Sequence, residues 1–305
     1  MLKHLVILLD ETSVSYCRAK NPNTTPQLMS LETLKASILF GMKENLMIQF
    51  VYPNYELPQD YSEIVETIDN IKIKPAGQKN ADVVVCTSAS EITEKTTALI
   101  VSKQELFSQA EIIAKKIKIV TRLTICISDI ETFTENDFEK YKTTLATLSD
   151  AVFKAYKSGK TPQINLLTDR ILLDKMNNCE AGIENITVAP NGNFYLCPAF
   201  YYENKKNAVG SLTEGVQIKN KQLLQLNHAP LCRNCDAFQC NRCLWLNEKT
   251  TLDINTPSHE QCVVSHLERN ASKRLLERLQ KDGFFAGKMI KEISYLDPFD
   301  VRKEF

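Results

Sequence analysis

Neither sign of charge predominates in this sequence. Thirty-seven lysines and arginines face thirty-seven aspartates and glutamates, so there is no electrostatic footprint for nucleic acid or for an anionic membrane surface. No run approaches the ~20 apolar residues of a membrane-spanning helix. The apolar run from Leu5 to Leu9 is too short for the core of a secretory signal and meets Asp10 and Glu11 at once. Internal repeats and low-complexity stretches are missing. So are a phosphate-cradling glycine loop, a Ser/His/Asp set, and any carboxylate pair whose spacing singles it out for acid–base work. There are four histidines, and no two stand at metal spacing on one strand. A cytoplasmic, reducing location is the expectation, with neither a nucleic-acid nor a membrane partner.

What the chain does have is cysteine, concentrated in one stretch. Seven of its ten cysteines are Cys179, Cys197, Cys232, Cys235, Cys240, Cys243 and Cys262. Twelve residues separate Cys179 from Gly192, and four more separate Gly192 from Cys197. Then comes Cys232-x2-Cys235-x4-Cys240-x2-Cys243, and after eighteen residues the lone Cys262. A two-residue gap lets neighbouring thiolates reach one metal centre, because a tight turn points both sulfurs the same way.

Three chemistries compete for these sulfurs. Disulfides suit neither a chain long enough to build its own core nor a reducing compartment. Zinc uses paired C-x2-C units but closes each site with four ligands. Seven cysteines therefore need a histidine as the eighth ligand, and His228, His259 and His266 lie close enough in sequence to supply one. Iron–sulfur clusters fit most directly, since seven cysteines match two cubanes lacking one ligand. Metal ligation leads, with zinc open as the alternative to iron and sulfide.

The first 170 residues alternate between strand and helix patterns. Strands are expected at His4 to Asp10, Ile48 to Tyr52, Val83 to Cys86, Ala98 to Val101, Leu123 to Ser128 and Gln163 to Leu167. Helices are expected from about Ser30 to Leu46, more weakly from Ser62 to Asn70, from the capping box Ser102-x2-Glu105 to Ile117, and from Thr134 to the stop at Gly159. The last is the clearest, with Phe138, Tyr141, Leu145, Leu148, Val152 and Tyr156 recurring at steps of three and four. Such alternation predicts an α/β fold of repeated β-α units on a parallel sheet, open or partly closed into a barrel. Ser258-x2-Gln261 is a further capping box, which places Cys262 in the first turn of a C-terminal helix.

The cysteine order resembles the SPASM domain, the auxiliary-cluster module at the C-terminus of many radical-SAM peptide maturases. Ile186-Thr-Val-Ala-Pro-Asn-Gly-Asn-Phe-Tyr-Leu-Cys197 resembles its opening hairpin, whose turn glycine precedes a ligand. The family pattern usually has one more residue between Cys235 and Cys240 and one more between Cys240 and Cys243. The resemblance implies a degenerate radical-SAM-like partial barrel over residues 1–170. A small cysteine-rich SPASM-like domain with a C-terminal helical tail would follow over 171–305. By the same analogy Cys179, Cys197 and Cys243 hold one 4Fe-4S cluster with an iron open to a substrate thiolate, another residue or water. Cys232, Cys235, Cys240 and Cys262 hold a second, fully ligated one.

A radical-SAM domain carries C-x3-C-x2-C in the loop after its first strand. Here the three positions are Cys17, Asn21 and Thr24, and the motif occurs nowhere else. One thiolate cannot hold a cubane. The glycine-rich segment that contacts S-adenosylmethionine in that family is also missing after the second strand. The chain is therefore similar to pseudo-radical-SAM proteins. The stretch Asn45-Leu-Met-Ile-Gln-Phe-Val-Tyr-Pro-Asn-Tyr-Glu-Leu-Pro58 resembles, more narrowly, the CXXX repeat peptide maturases. That resemblance implies a cysteine-rich precursor peptide as partner, a true radical-SAM maturase alongside, and no unaided cleavage of S-adenosylmethionine. The alternative is a zinc-stapled protein- or peptide-binding accessory without a redox role.

The remaining residues of note carry plainer expectations. Cys86 and Cys126 sit in apolar strand-like runs and read as core thiols. Cys17 is either the remnant of a lost cluster loop or a chance loop thiol. His259 and His266 are expected on the solvated side of the last helix, and Trp245 as a lid over a metal site.

Overall fold

The computed structural model describes residues 2–93, 96–173, 180–237, 240 and 242–290. Cys179 lies outside them. Eight strands and five helices account for most of the N-terminal two thirds. In chain order they are β1 (His4–Leu8), α1 (Leu31–Lys43), β2 (Met47–Val51), α2 (Gln59–Val65), β3 (Asn70–Pro75), β4 (Val83–Cys86) and β5 (Thr96–Val101). Then follow α3 (Lys103–Ile117), β6 (Arg122–Ile127), α4 (Glu135–Lys157), β7 (Gln163–Ile164), α5 (Asp169–Leu172) and β8 (Asn185–Val188). The remainder is β9 (Phe194–Tyr195), α6 (Pro198–Glu203), the two-strand pair β10 (Gly210–Ser211) and β11 (Gly215–Val216), α7 (Leu244–Thr251) and α8 (His259–Lys281).

The sheet runs β7-β6-β5-β4-β3-β2-β1-β8-β9. From β1 to β7 each strand lies beside its predecessor, all parallel, and β8 then returns to the free side of β1. Among the described strands of this sheet only β9 is antiparallel, completing a hairpin with β8. The sheet stays open, with β7 and β9 as its outer strands. β1 is thus paired on both edges and covered on both faces. Leu5 and Ile7 pack with Leu34 and Ile38 of α1, while Val6 and Leu8 face the opposite core. A strand in that position reads as a continuous apolar run, which is what residues 5–8 are.

Local signals set most of the boundaries. Ser30 caps α1 by accepting from the Thr33 amide, and the Ser102–Glu105 box opens α3. The expected helix up to Asn70 is corrected: α2 stops at Val65 and Asn70 begins β3. The Asn70 amide donates to the carbonyls of Val65 and Ile68, both at 2.9 Å, and so ties off the helix end. β3 went unforeseen, although Ile71 and Ile73 alternate with Lys72 and Lys74 at the period of a strand.

α8 packs along α4 and reaches back to α5. A buried polar joint fixes that contact. Glu268 of α8 accepts from the Tyr141 hydroxyl at 2.8 Å and pairs with Arg170 of α5 at 3.2 Å. Removing one ion of such a pair strands the other in a poorly solvated site. Arg170→Met is expected to destabilise the chain by about 3–5 kcal/mol in urea denaturation. Adding Glu268→Gln, which removes the charge but keeps an acceptor for Tyr141, is expected to restore much of that loss.

Candidate functional site

The C-terminal cysteines are placed by short turns, not by long elements. Cys232 opens a turn of 3₁₀ helix in which the Cys235 amide donates to the Cys232 carbonyl at 3.1 Å. The Cys240 amide donates to Ala237 at 3.0 Å. Cys262 stands in the first turn of α8, its amide on the Ser258 carbonyl at 3.2 Å, and Ser258 caps the helix through the Gln261 amide. The four sulfur-bearing residues Cys232, Cys235, Cys240 and Cys262 line one cavity of about 30 Å³. Leu226, Ala237 and Pro257 close part of the remaining wall, and Arg242, Gln261, Ser265 and His266 the rest.

Several polar groups already face these sulfurs. The Ala237 amide donates to Cys235 Sγ at 3.3 Å, and the Ser265 hydroxyl lies 3.0 Å from Cys240 Sγ. His266 Nε2 lies 3.5 Å from Cys235 Sγ. His266, Asp236 and Cys235 each bring one ligand atom to within 4.8 Å of the others. His266 is therefore half-buried against the thiols and does not stand on the solvated face, a correction to the expectation. The helix stripe Gln261, Ser265 and Glu268 turns it inward. His259 and His228 are exposed. The Gln261 amide oxygen is buried at this cavity without a hydrogen-bond partner among the described residues, the mark of a site whose polar complement is incomplete.

The electrostatics follow from crowding sulfur away from water. Burial, then the neighbouring Cys240, Cys232 and Cys235, pushes the Cys262 thiol up to about 12. Burial and Cys240 push Cys232 up to about 11, against the guanidinium of Arg242. Cys235 and Cys240 are raised as well, mainly by burial, with Arg170 pulling both back toward the thiolate.

Cys197 and Cys243 lie elsewhere. Cys197 directly precedes α6 after the β8–β9 hairpin, whose turn holds Gly192 at a φ of +75°. Cys243 precedes α7. Both line a larger cavity of about 440 Å³ between the sheet and the C-terminal loops. Its floor is polar, built from His4, Gln49, Thr124, Asn165 and Thr187. Cys17 and Cys126 open onto the same cavity. Cys126 is thus not a packed core thiol, whereas Cys86 is fully buried. The missed signal was the strand alternation: Leu123, Ile125 and Ile127 are buried, while Thr124 and Cys126 form the less covered face of β6. Trp245 packs into the core and donates from Nε1 to Glu203 at 2.8 Å.

The loop after β1 brings one thiol and no second. Asn21 uses its amide to hold the carbonyls of Glu11 and Ser13 at 2.8 and 2.9 Å, and Thr24 is exposed. No helix among the described residues is long and apolar enough to cross a membrane.

No family model matches the sequence, and no curated protein does. Solved structures do share its architecture. Native anSMEcpe with bound AdoMet matches at a TM-score of 0.62 and 13% identity, over 91% of this chain and 100% of that one. Native anSMEcpe with bound AdoMet and Cp18Cys peptide matches at 0.62 and 14%, over 91% and 99%. The fold is that of the radical-SAM-like α/β proteins, a mostly parallel sheet that does not close into a barrel.

The raised thiols give a pH test on metal-free protein. An unfolded thiol ionises near ~8.5. Above that pH the unfolded chain sheds protons that folded Cys232 and Cys262 still hold up to about 11 and about 12. The folded state then binds more protons, so its stability is full below about pH 8.5 and falls as pH rises toward 12. The urea midpoint of chelator-treated protein is expected to drop between pH 8.5 and 11. Cys262→Ala is expected to shallow that drop.

Proposed function

We propose that the chain is a maturation component for a ribosomally made peptide, acting on or carrying a cysteine-rich precursor with Cys-x-x-x repeats. Its partner is a catalytic radical-SAM maturase. Residues 1–170 serve as the degenerate radical-SAM-like part and 171–305 as the SPASM-like part. Two iron–sulfur clusters are held there. Cys232, Cys235, Cys240 and Cys262 hold one, and Cys197 and Cys243, with Cys179, hold the other. Such clusters supply one-electron chemistry and an iron that can accept a thiolate.

The observation that carries this proposal is the sorting of the cysteines. Residues far apart in sequence meet in two separate cavities, divided as the SPASM pattern divides them. The polar floor of the larger cavity offers the donors and acceptors that a peptide backbone needs. The neighbour anSMEcpe binds AdoMet and a peptide on the same fold. The donor set of the β1 loop points away from cofactor cleavage, since Asn21 is committed to backbone carbonyls and Cys17 has no companion there.

A second proposal has a specific observation in its favour. The 30 Å³ cavity and the approach of His266 to Cys235 suit a single ion, which would make that centre a structural zinc site. In that case the chain is a zinc-stapled binding accessory.

Purification without oxygen, followed by iron, sulfide and zinc analysis, separates the two. A brown protein with stoichiometric labile sulfide is expected; a colourless protein containing zinc alone would replace the first proposal by the second. A precursor-like peptide with Cys-x-x-x repeats is expected to be retained by the immobilised protein. Its serine-substituted counterpart should be lost, and equal retention of both would remove thiol recognition from the proposal.

A further inference from the structure

We propose that Cys17 and Cys126 are ligands of the same buried centre as Cys197 and Cys243, joining sulfurs from the sheet to those of the C-terminal stretch around one iron–sulfur cluster. This rests on the iron–sulfur proposal above and replaces Cys179 in it: Cys17, Cys126, Cys197 and Cys243 supply four thiolates, one for each iron of a cubane. The position that the SPASM pattern leaves open to a substrate thiolate would then be filled from within the chain.

The first observation is convergence. All four residues line the one cavity of about 440 Å³, although they come from the β1 loop, β6, the hairpin end and the approach to α7. This half-enclosed space is lined by the four sulfurs together with polar groups such as His4, Gln49 and Asn165 and apolar ones such as Leu196, Pro198 and Ala199. The second is a clamp. Arg18, next to Cys17, donates from Nη1 to the carbonyl of Ile127, next to Cys126, at 2.8 Å. One hydrogen bond thereby holds the Cys17 loop against the end of β6 that carries Cys126.

The third observation is charge. Burial raises the proton affinity of Cys17 and Cys126, and neighbouring sulfurs add to it, Cys126 and Cys243 at Cys17 and Cys243 at Cys126. The partly buried Arg18 side chain lines the same cavity. Burial works against its charge, yet Cys126 and Cys243, then Glu268 and Cys240, outweigh that and hold it more firmly protonated than usual. A cluster with several thiolate ligands is anionic and needs such a counter-charge when shut away from water. On ligation each thiol releases its proton to solvent and forms one sulfur–iron bond; the residues themselves neither gain nor lose electrons. A core thiol has none of these features. Cys86 shows the contrast, fully buried inside β4 and away from this cavity.

The test uses the full chain prepared without oxygen, as wild type and as Cys17→Ser, Cys126→Ser and Cys232→Ser. Iron and labile sulfide are counted per chain, and the magnetic spectrum of the reduced protein is recorded. Cys17→Ser and Cys126→Ser are each expected to lose up to about half of the iron and the same spectral component, while Cys232→Ser loses the other. If both retain wild-type iron and an unchanged spectrum, Cys17 and Cys126 are not ligands and the iron–sulfur proposal stands without them. Wild type lacking sulfide would overturn that proposal itself. Differential alkylation of wild type guards against misfolded variants. Cys17 and Cys126 should be protected in loaded protein and modified at least tenfold faster after chelator treatment. Equal rates in the two states would overturn the inference.

Discussion

A sulfur held away from water keeps its proton unless a cation faces it, and that constraint organises this chain. Two groups of thiols are buried close enough to raise one another's proton affinity. Each group has a guanidinium beside it. Arg18 serves the large cavity, and Arg242 and Arg170 face the small one. Arg18 also feels Cys240 and Glu268, so the two groups share part of their electrostatic compensation. Any cation entering either cavity must displace thiol protons, and the arginines lower the cost of the charge left behind.

The sheet's contribution is placement. β1 has β2 on one side and β8 on the other, which sets the hairpin ahead of Cys197 at the β1 end of the sheet. Without that return, the loop after β1 and the C-terminal cysteines would not share a wall. α8 provides the opposing support. It carries Cys262 in its first turn and, two turns later, Glu268, whose contacts with Tyr141 and Arg170 bind the helix to α4 and α5. The residues that keep the C-terminal region on the sheet thus lie within a few ångströms of those that line its smaller cavity. Loosening the joint and loosening the thiol site are expected to go together.

The strand–helix alternation was legible in the sequence, because apolar periodicity and capping residues are local signals, whereas the grouping of Cys232, Cys235, Cys240 and Cys262 was expected only from the resemblance to the SPASM pattern. The return of β8 to β1 was not, since it depends on pairing between residues 181 positions apart, as His4 and Asn185 are. β3 was hidden by its lysines: Lys72 donates its amide to Asp82, and its side chain meets Glu66, so polar residues sit where a buried strand would be sought. Cys126 and His266 were misplaced for one reason. Which way a side chain points on a recognised element depends on what packs against that element, and sequence spacing fixes only the period.

The shortened spacings around Cys240 find their physical meaning in the same geometry. Two C-x2-C units stand in this stretch, and they behave differently. Cys232 and Cys235 flank one tight turn and open onto the same cavity. Cys240 and Cys243 part company, Cys240 to the small cavity and Cys243 to the large one. Between them Arg242 turns inward, donating its amide to the Cys240 carbonyl at 2.8 Å and its guanidinium to the Leu224 carbonyl at 3.0 Å and to Asn255. A buried arginine anchored on three sides acts as a wedge. It separates the two sulfurs into different sites while offering positive charge to both walls. Here the two-residue gap brings Cys232 and Cys235 together with its intervening residues, Arg233 and Asn234, exposed. Between Cys240 and Cys243, where Arg242 is drawn into the core, the same gap becomes the divider between two centres.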